Sequence, residues 1–430
     1  MIQKIPFLID NSFNITKKEE QSLNFFWYGF TVYTLFFVLS ATESFISPAA
    51  CQGLQAIGFI VMIFGASGLI KSKIDDPYLQ LVFWIYFLYS VSIIFRGAEY
   101  DFKSIKLMVF DVSYGAMPYF APLVLLIPRK VGFYKKIFNI LIILGIFFIL
   151  CVILFYKVLH DPDRLSLISL GYIETFFGLL AYPVSFLLLT YLYHSDKKSL
   201  LGLGKINILA LAVMLIALFF LIYRARRGSI AMCVSTLACV GMIYISTTKR
   251  KMLIILMSVI FIGAVAVFFA GRKTPAMFNF VIDRGDEDTR TGVEEYMYAD
   301  MTTNDWIIGK GINGKYFCPI IDNVNDATGY RENIETGYLQ IILKGGLVSL
   351  TLLLLILLPA VYKGLFNSKN VLSKSAAVWI FLWIIYLKPI IGNTFSMHYL
   401  IVWIAVGICY SKKIRNMSDI TIKSYLQRSN

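Results

Sequence analysis

Residues 140–155 read Ile-Leu-Ile-Ile-Leu-Gly-Ile-Phe-Phe-Ile-Leu-Cys-Val-Ile-Leu-Phe, with Lys135 and Lys136 before them and Lys157 after. On a helix this run is apolar all round, so no face is left for water and lipid is its natural surroundings. With its flanks it approaches the roughly 20 apolar residues that cross a bilayer. Ile206–Tyr223 and Leu350–Leu358 repeat the pattern. The whole chain agrees: of 430 residues 58% are hydrophobic and only 15% charged, and mean hydropathy is +0.71. A soluble domain carries about 25% charged residues. The fold class expected is therefore all-α, a polytopic membrane protein. A single water-soluble core is excluded, and so is an outer-membrane barrel, whose strands alternate polar and apolar residues.

Hydropathy places about twelve helices near 25–42, 49–70, 78–95, 106–127, 137–156, 168–193, 206–223, 228–247, 252–270, 337–361, 375–392 and 396–411. The chain then divides into a cytoplasmic N-terminus 1–24, helices one to nine over 25–270, a large loop 271–336, helices ten to twelve over 337–411 and a cytoplasmic tail 412–430. The polar first 24 residues contain no cleavage-type segment, so no removable signal peptide is expected. Positive residues favour the cytoplasmic side. With both termini inside, the inner segments hold 23 of the 40 Lys and Arg and 7 of the 26 acidic residues, net +16, against −2 outside. The formal charge of +14 is thus a topological signal, and nucleic acid is not an expected partner.

One turn defies this sorting. Arg224-Ala225-Arg226-Arg227-Gly228-Ser229 puts three guanidinium groups in the shortest outer turn. Such groups can snorkel to headgroups, but their fork also grips phosphate oxygens in pairs. Charges inside the spans cluster by depth: Asp111 lies about 6–8 Å, Glu174 about 9 Å and Lys344 about 10 Å from the outer ends of helices four, six and ten, and Lys388 near the outer end of helix eleven. Intramembrane charges face a bundle interior or a wet cavity. Their shared depth predicts one outward polar cavity, with ion pairs such as Asp111 or Glu174 with Lys344 or Lys388 as the alternative to ligand contact. His398 starts helix twelve at the same level. Above the cavity the loop carries Glu294, Asp305, Arg290 and Arg331 among enough aromatic residues to pack as an ordered cap, with a short helix over Val293–Met301.

Other motifs dissolve on inspection. Gly309–Lys315 has the spacing G-x-x-x-x-G-K, but Tyr316 stands where a Ser or Thr would hold magnesium, so a turn at Gly309 and Gly311 is expected instead. The acidic run Asp283–Asp288 lacks an EF-hand pattern. The six cysteines give no loop disulfide framework and no zinc spacing, and neither a metal site nor a cofactor is expected.

Three features remain in order: Arg227-Gly228-Ser229 opening a helix; a large loop with Arg290, Tyr296, Trp306, Gly309 and Gly311; and Glu335-Thr336-Gly337-Tyr338-Leu339 running into a helix that steps through Gly345-Gly346. In this the chain resembles the bacterial O-antigen polymerase and O-antigen ligase superfamily over roughly residues 224–350. The ligase branch carries a histidine near the loop exit where this chain has Glu335, which favours the polymerase branch. The resemblance implies a GT-C-like glycosyltransferase of the bacterial inner membrane whose site faces the periplasm. Its donor would be an undecaprenyl-pyrophosphate-linked oligosaccharide, with a chain-length regulator as a candidate partner. Arg226 and Arg227 would hold the pyrophosphate, assisted by Arg224, Arg290 or Arg331. Glu335 would be the base, with Glu294, Asp305 and His398 behind it, and Asp111, Glu174, Lys344 and Lys388 lining the cavity. Attack opposite the leaving group would invert the anomeric centre. A ligase, and a flippase as a different class, stay open beside the polymerase.

Overall fold

The computed structural model describes residues 16–42, 46–71, 73–113, 115–127, 130–163, 166–195, 204–247, 290–319, 329–389 and 393–428. The segment expected to form helix nine, 252–270, and the acidic run 283–288 lie outside the described residues. The described residues are mostly helical, and among them eight helices are long and apolar enough to cross a membrane. It is a polytopic membrane protein by that measure.

The helices begin as α1 (Lys17–Ser40), α2 (Pro48–Ser67) and α3 (Pro77–Phe95). Thr16 and Glu19 close a reciprocal cap that starts α1 well before the apolar run. Helices α1 and α2 approach each other closely, because glycine removes the side chains where they cross. A Cβ on Gly29 would lie 2.3 Å from the Met62 nitrogen, and one on Gly65 would lie 2.2 Å from that of Phe26. Close backbone approach through small residues is how helices associate in lipid, where hydrophobic burial gives no drive.

The segment expected as helix four is not one helix. It divides into α4 (Phe102–Phe110), non-helical residues at 111–113 and 115–116, and α5 (Met117–Phe120) running into a 3₁₀ turn (Ala121–Leu126). Asp111 therefore sits at a break rather than inside a span, where its carboxylate accepts from the Ser113 amide. The Phe110 carbonyl freed there accepts from the side chains of Gln55 (2.9 Å) and Tyr33 (3.4 Å). Pro118 and Pro122, which have no amide hydrogen to give, explain why helix does not continue.

Next come α6 (Val131–Leu154), α7 (Tyr156–Leu159), and α8 (Leu167–Phe176), which passes through a π-helical turn (Phe177–Ala181) into α9 (Tyr182–Leu189). Helices α10 (Lys205–Tyr223) and α11 (Arg227–Thr247) follow, separated only by Arg224–Arg226. The cap holds α12 (Thr291–Asp300), α13 (Thr303–Ile308) and a two-stranded antiparallel pair, β1 (Tyr316–Phe317) on β2 (Tyr330–Arg331). Met297, Met301, Tyr316, Cys318 and Ile334 form its small core, which rests on Leu339, Ile342 and Leu343 of α14 (Gly337–Phe366). The short helix expected over Val293–Met301 is α12, two residues earlier at its start.

The chain ends with α15 (Val371–Tyr386), α16 (Met397–Tyr410), α17 (Lys412–Asn416) and α18 (Asp419–Arg428). Because α15 stops at Tyr386, Lys388 lies in the turn beyond it and is exposed, not in a span. Helix α14 carries two interruptions. Pro359 cannot bond to the Leu355 carbonyl, and the Tyr78 hydroxyl donates to it instead (2.9 Å). Gly346 takes φ 66° and ψ −176°, which splits the helix into a short arm and a long one.

Among the described residues, ion pairs and hydrogen bonds join several of the segments between helices. Glu19 meets Lys130 (2.6 Å) and Lys71 (3.5 Å), Lys363 meets Asp76 (2.8 Å), and Lys423 donates to Ser195. The cap covers the ends of α3, α14 and α15. The Gly346 conformation is open only to glycine, and a Cβ there would lie 2.1 Å from the Ile307 carbonyl oxygen. Gly346→Ala is expected to lose at least about 2 kcal/mol, read as a lower Tm in detergent, whereas Gly171→Ala, with open space around its Cβ position, is expected to keep the wild-type Tm.

Candidate functional site

The arginine turn owes its shape to its first residue. Arg224 is fully buried, and its guanidinium donates to the carbonyls of Val158 (3.1 Å), Leu159 (3.0 and 3.2 Å) and Asp163 (2.6 Å). These carbonyls belong to the end of α7 and the chain just after it, where helical partners run out. The same guanidinium lies over the Tyr223 ring, 5.2 Å from its centroid. With Arg224 held inward, the chain reverses at Ala225, the only non-glycine with positive φ (51°) among the described residues. Arg226 and Arg227 emerge on the other side. Arg224 thus holds the turn, and the expectation of a direct phosphate contact passes to its two neighbours.

Arg226 pairs with Glu174 on α8 (3.0 Å). Its Nε–H is buried and has no hydrogen-bond partner among the described residues. Arg227 is exposed at the first position of α11. Glu174 also lies within electrostatic range of Glu335, at the exit of the cap. Glu335 is exposed and faces Arg290 (3.5 Å), whose other arm donates to the Pro389 carbonyl (3.0 Å). The result is a line of charge, Arg226–Glu174–Glu335–Arg290, with two carboxylates between two guanidinium groups, joining four segments that are far apart in sequence. The partner of Glu174 is the arginine turn, not Lys344 or Lys388.

Glu294 stands beside this line. It accepts from the Thr336 hydroxyl, one residue beyond Glu335, and from the Tyr298 hydroxyl (3.4 Å). Thr336 is the N-cap of α14, and its hydroxyl goes to Glu294 rather than to a backbone amide of its own helix. Burial first, and then the Glu294 charge, push the Tyr298 hydroxyl up to about 12, so it stays a donor throughout the physiological range.

The remaining expected residues are elsewhere or otherwise engaged. Lys344 is buried and donates to the Gly314 carbonyl (2.9 Å), locking the cap loop to the short arm of α14. Asp305 caps α13 and accepts from Thr302. Arg331 is on β2 opposite Tyr316. The His398 ring meets Tyr182 (4.7 Å) and Trp379 (5.3 Å) edge-on, a packing arrangement. Gly309 and Gly311, both with positive φ, make the expected turn. Sequence reasoning missed Arg96, at the end of α3, which donates to the Ile308 carbonyl (2.8 Å) and fixes that turn; only the adjacent Gly97, with φ 69°, hinted at it. It also missed Lys315, whose bridge to Glu332 (3.1 Å) raises its pKa.

The site combines two guanidinium side chains, Arg226 and Arg227, with the carboxylates of Glu174 and Glu335 beside the cap. Comparison with protein-family models, curated proteins and solved structures finds no match to this chain.

Because the buried Arg224 donates to the Leu159 carbonyl, which has no other donor among the described residues, while Ser169 and Ser166 also donate to those of Val158 and Asp163, Arg224→Leu is expected to cost about 1–3 kcal/mol for the carbonyl left unpaired, read as a drop in Tm. Arg224→Lys, with one donor group in place of three, is expected to recover part of that loss.

Proposed function

We propose that this chain is a surface-polysaccharide polymerase of a bacterial cytoplasmic membrane, with both termini cytoplasmic and the cap facing the periplasm. The donor is a glycan linked through pyrophosphate to a polyprenyl lipid. The acceptor is a hydroxyl of a second glycan, and a chain-length regulator is a candidate partner. The observation that carries this reading is Arg226: it has one carboxylate partner, an unspent buried N–H, and a place in line with Glu335 and Arg290.

The chemistry asks for what these residues offer. The acceptor oxygen forms a bond to the anomeric carbon as the bond from that carbon to the phosphate oxygen breaks. The electron pair leaves with the lipid pyrophosphate, and the acceptor proton passes to the Glu335 carboxylate. Negative charge grows on the leaving group, and fixed guanidinium groups near lipid stabilise it strongly. Arg226 and Arg227 take that role from one side and Arg290 from the other, released by the pyrophosphate from Glu174 and Glu335. Attack opposite the leaving group inverts the sugar. Arg224 positions the turn, and Glu294 orients the loop exit through Thr336.

Glu335→Gln is expected to lower glycosyl transfer by roughly 10²–10⁴-fold, and Arg226→Ala by about 10²–10³-fold, with membrane insertion unchanged. Polysaccharide from a deletion strain tests the assignment. Single repeats on the lipid core are expected. Bare core with lipid-linked polymer would mean a ligase, and lipid-linked repeats held inside the cell would mean a flippase.

A further inference from the structure

Helix α12 presents Arg290, Glu294 and Tyr298 at four-residue intervals, which places them on one face, a turn apart. Met297, three residues after Glu294 on the adjoining side of the same helix, is fully buried in the cap core. The outward face is ordered by chemistry: a guanidinium beside Glu335, then a carboxylate, then an aromatic ring that is 41% exposed. The Trp306 ring of α13 leans against Tyr298, with centroids 5.8 Å apart and planes at 31°. The exposed Tyr298 ring and the half-buried Trp306 ring, which also packs on the cap core, make an aromatic pair beginning two helical turns, about 12 Å, from Arg290.

We propose that Tyr298 and Trp306 are the binding platform for the acceptor glycan, a pyranose ring lying on the aromatic faces with its hydroxyls turned to Glu294 and the Tyr298 hydroxyl. This rests on the glycosyltransferase reading and adds to it the position of the acceptor. Three observations support it. A sugar ring has an apolar C–H face and a polar rim, and this surface has the matching pair, an aromatic face with a carboxylate and a phenol at its edge. The spacing suits the reaction: with pyrophosphate at Arg290 and the reacting hydroxyl at Glu335, an acceptor extending away from the donor along α12 reaches Tyr298 about 12 Å on. The carboxylate next to the platform is tied through Thr336 to the residue following the base, so a sugar hydroxyl that engages Glu294 is registered against Glu335.

The test uses the full chain in nanodiscs and two readouts. The first is calorimetric binding of a lipid-free oligosaccharide of one or two repeat units, released from the host strain's own polymer. The second is steady-state transfer with donor and acceptor varied separately. Trp306→Ala and Tyr298→Ala are expected to weaken oligosaccharide binding by about tenfold or more and to raise the acceptor KM in parallel, with the donor KM within twofold of wild type. Trp306→Phe, which keeps an aromatic face, is expected to restore most of the binding. Cys318, fully buried in the cap core, reports whether the cap is intact: its maleimide labelling is to stay at the wild-type rate in each variant scored.

Wild-type binding of the oligosaccharide in both alanine variants, with the cap intact, would overturn the platform and leave the polymerase reading standing. Oligosaccharide bound by wild type and lost in the variants, in a protein that transfers no sugar, would overturn the polymerase reading and support the platform as a glycan-binding surface.

Discussion

In a bilayer every backbone carbonyl that leaves a helix must find another donor, because no water is there to supply one. The break at Gly346 frees the carbonyls of Leu343, Lys344 and Gly345, and each is taken up from outside the helix. Lys310 and Gly311 of the cap loop donate their amides to the first two (2.8 and 3.0 Å), and the Tyr89 hydroxyl of α3 donates to the third (2.8 Å). The loop can come so close only because Gly309 and Gly311 lack side chains: a Cβ on Gly311 would lie 1.8 Å from the Arg96 carbonyl oxygen. Ile312 then donates its amide to carbonyls at the end of α3. The cap is thus held to the bundle by the unsatisfied backbone of a broken helix, reinforced by Lys344 reaching back to Gly314.

The position of the polar site follows from this clasp. The short arm of α14 begins at Gly337, directly after Glu335 and Thr336, so fixing the arm to the cap fixes the loop exit. Arg290 and Glu294 on α12 then meet Glu335 and Thr336 from above, while Arg290 also reaches the end of α15 through Pro389. From the bundle side, Arg224 anchors the α10–α11 turn so that Arg226 reaches Glu174. Carboxylates between guanidinium groups make it tolerable to bring several arginines near lipid, and they leave a set of charges that an incoming anion can rearrange.

Much of this was readable in the chain, and where reading stopped is instructive. Apolar runs long enough to cross lipid identify the helices because the bilayer imposes one requirement on all of them. The arginine turn stood out because it opposes the distribution of positive charge around it, and the cap because its composition changes. The breaks were not readable. The residues around Asp111 and around Gly346 are as apolar as a continuous span, and hydropathy does not register where a carbonyl finds its donor. Lys344 and Arg224 drew attention for the right reason, since a buried charge needs partners, but the partners are backbone carbonyls, which every residue has and no sequence pattern marks.

The sequence by itself determined that this is a helical membrane protein, and it set apart a few charged residues among the apolar runs, because hydrophobicity and charge act on each segment independently of its neighbours. Only the tertiary structure decided which of those charges form one site. Arg226, Glu174, Glu335 and Arg290 are up to 161 residues apart in the chain, and they meet because a glycine break and a buried arginine satisfy their backbone bonds across elements. Such bonds depend on distances in space, for which local sequence carries no signal.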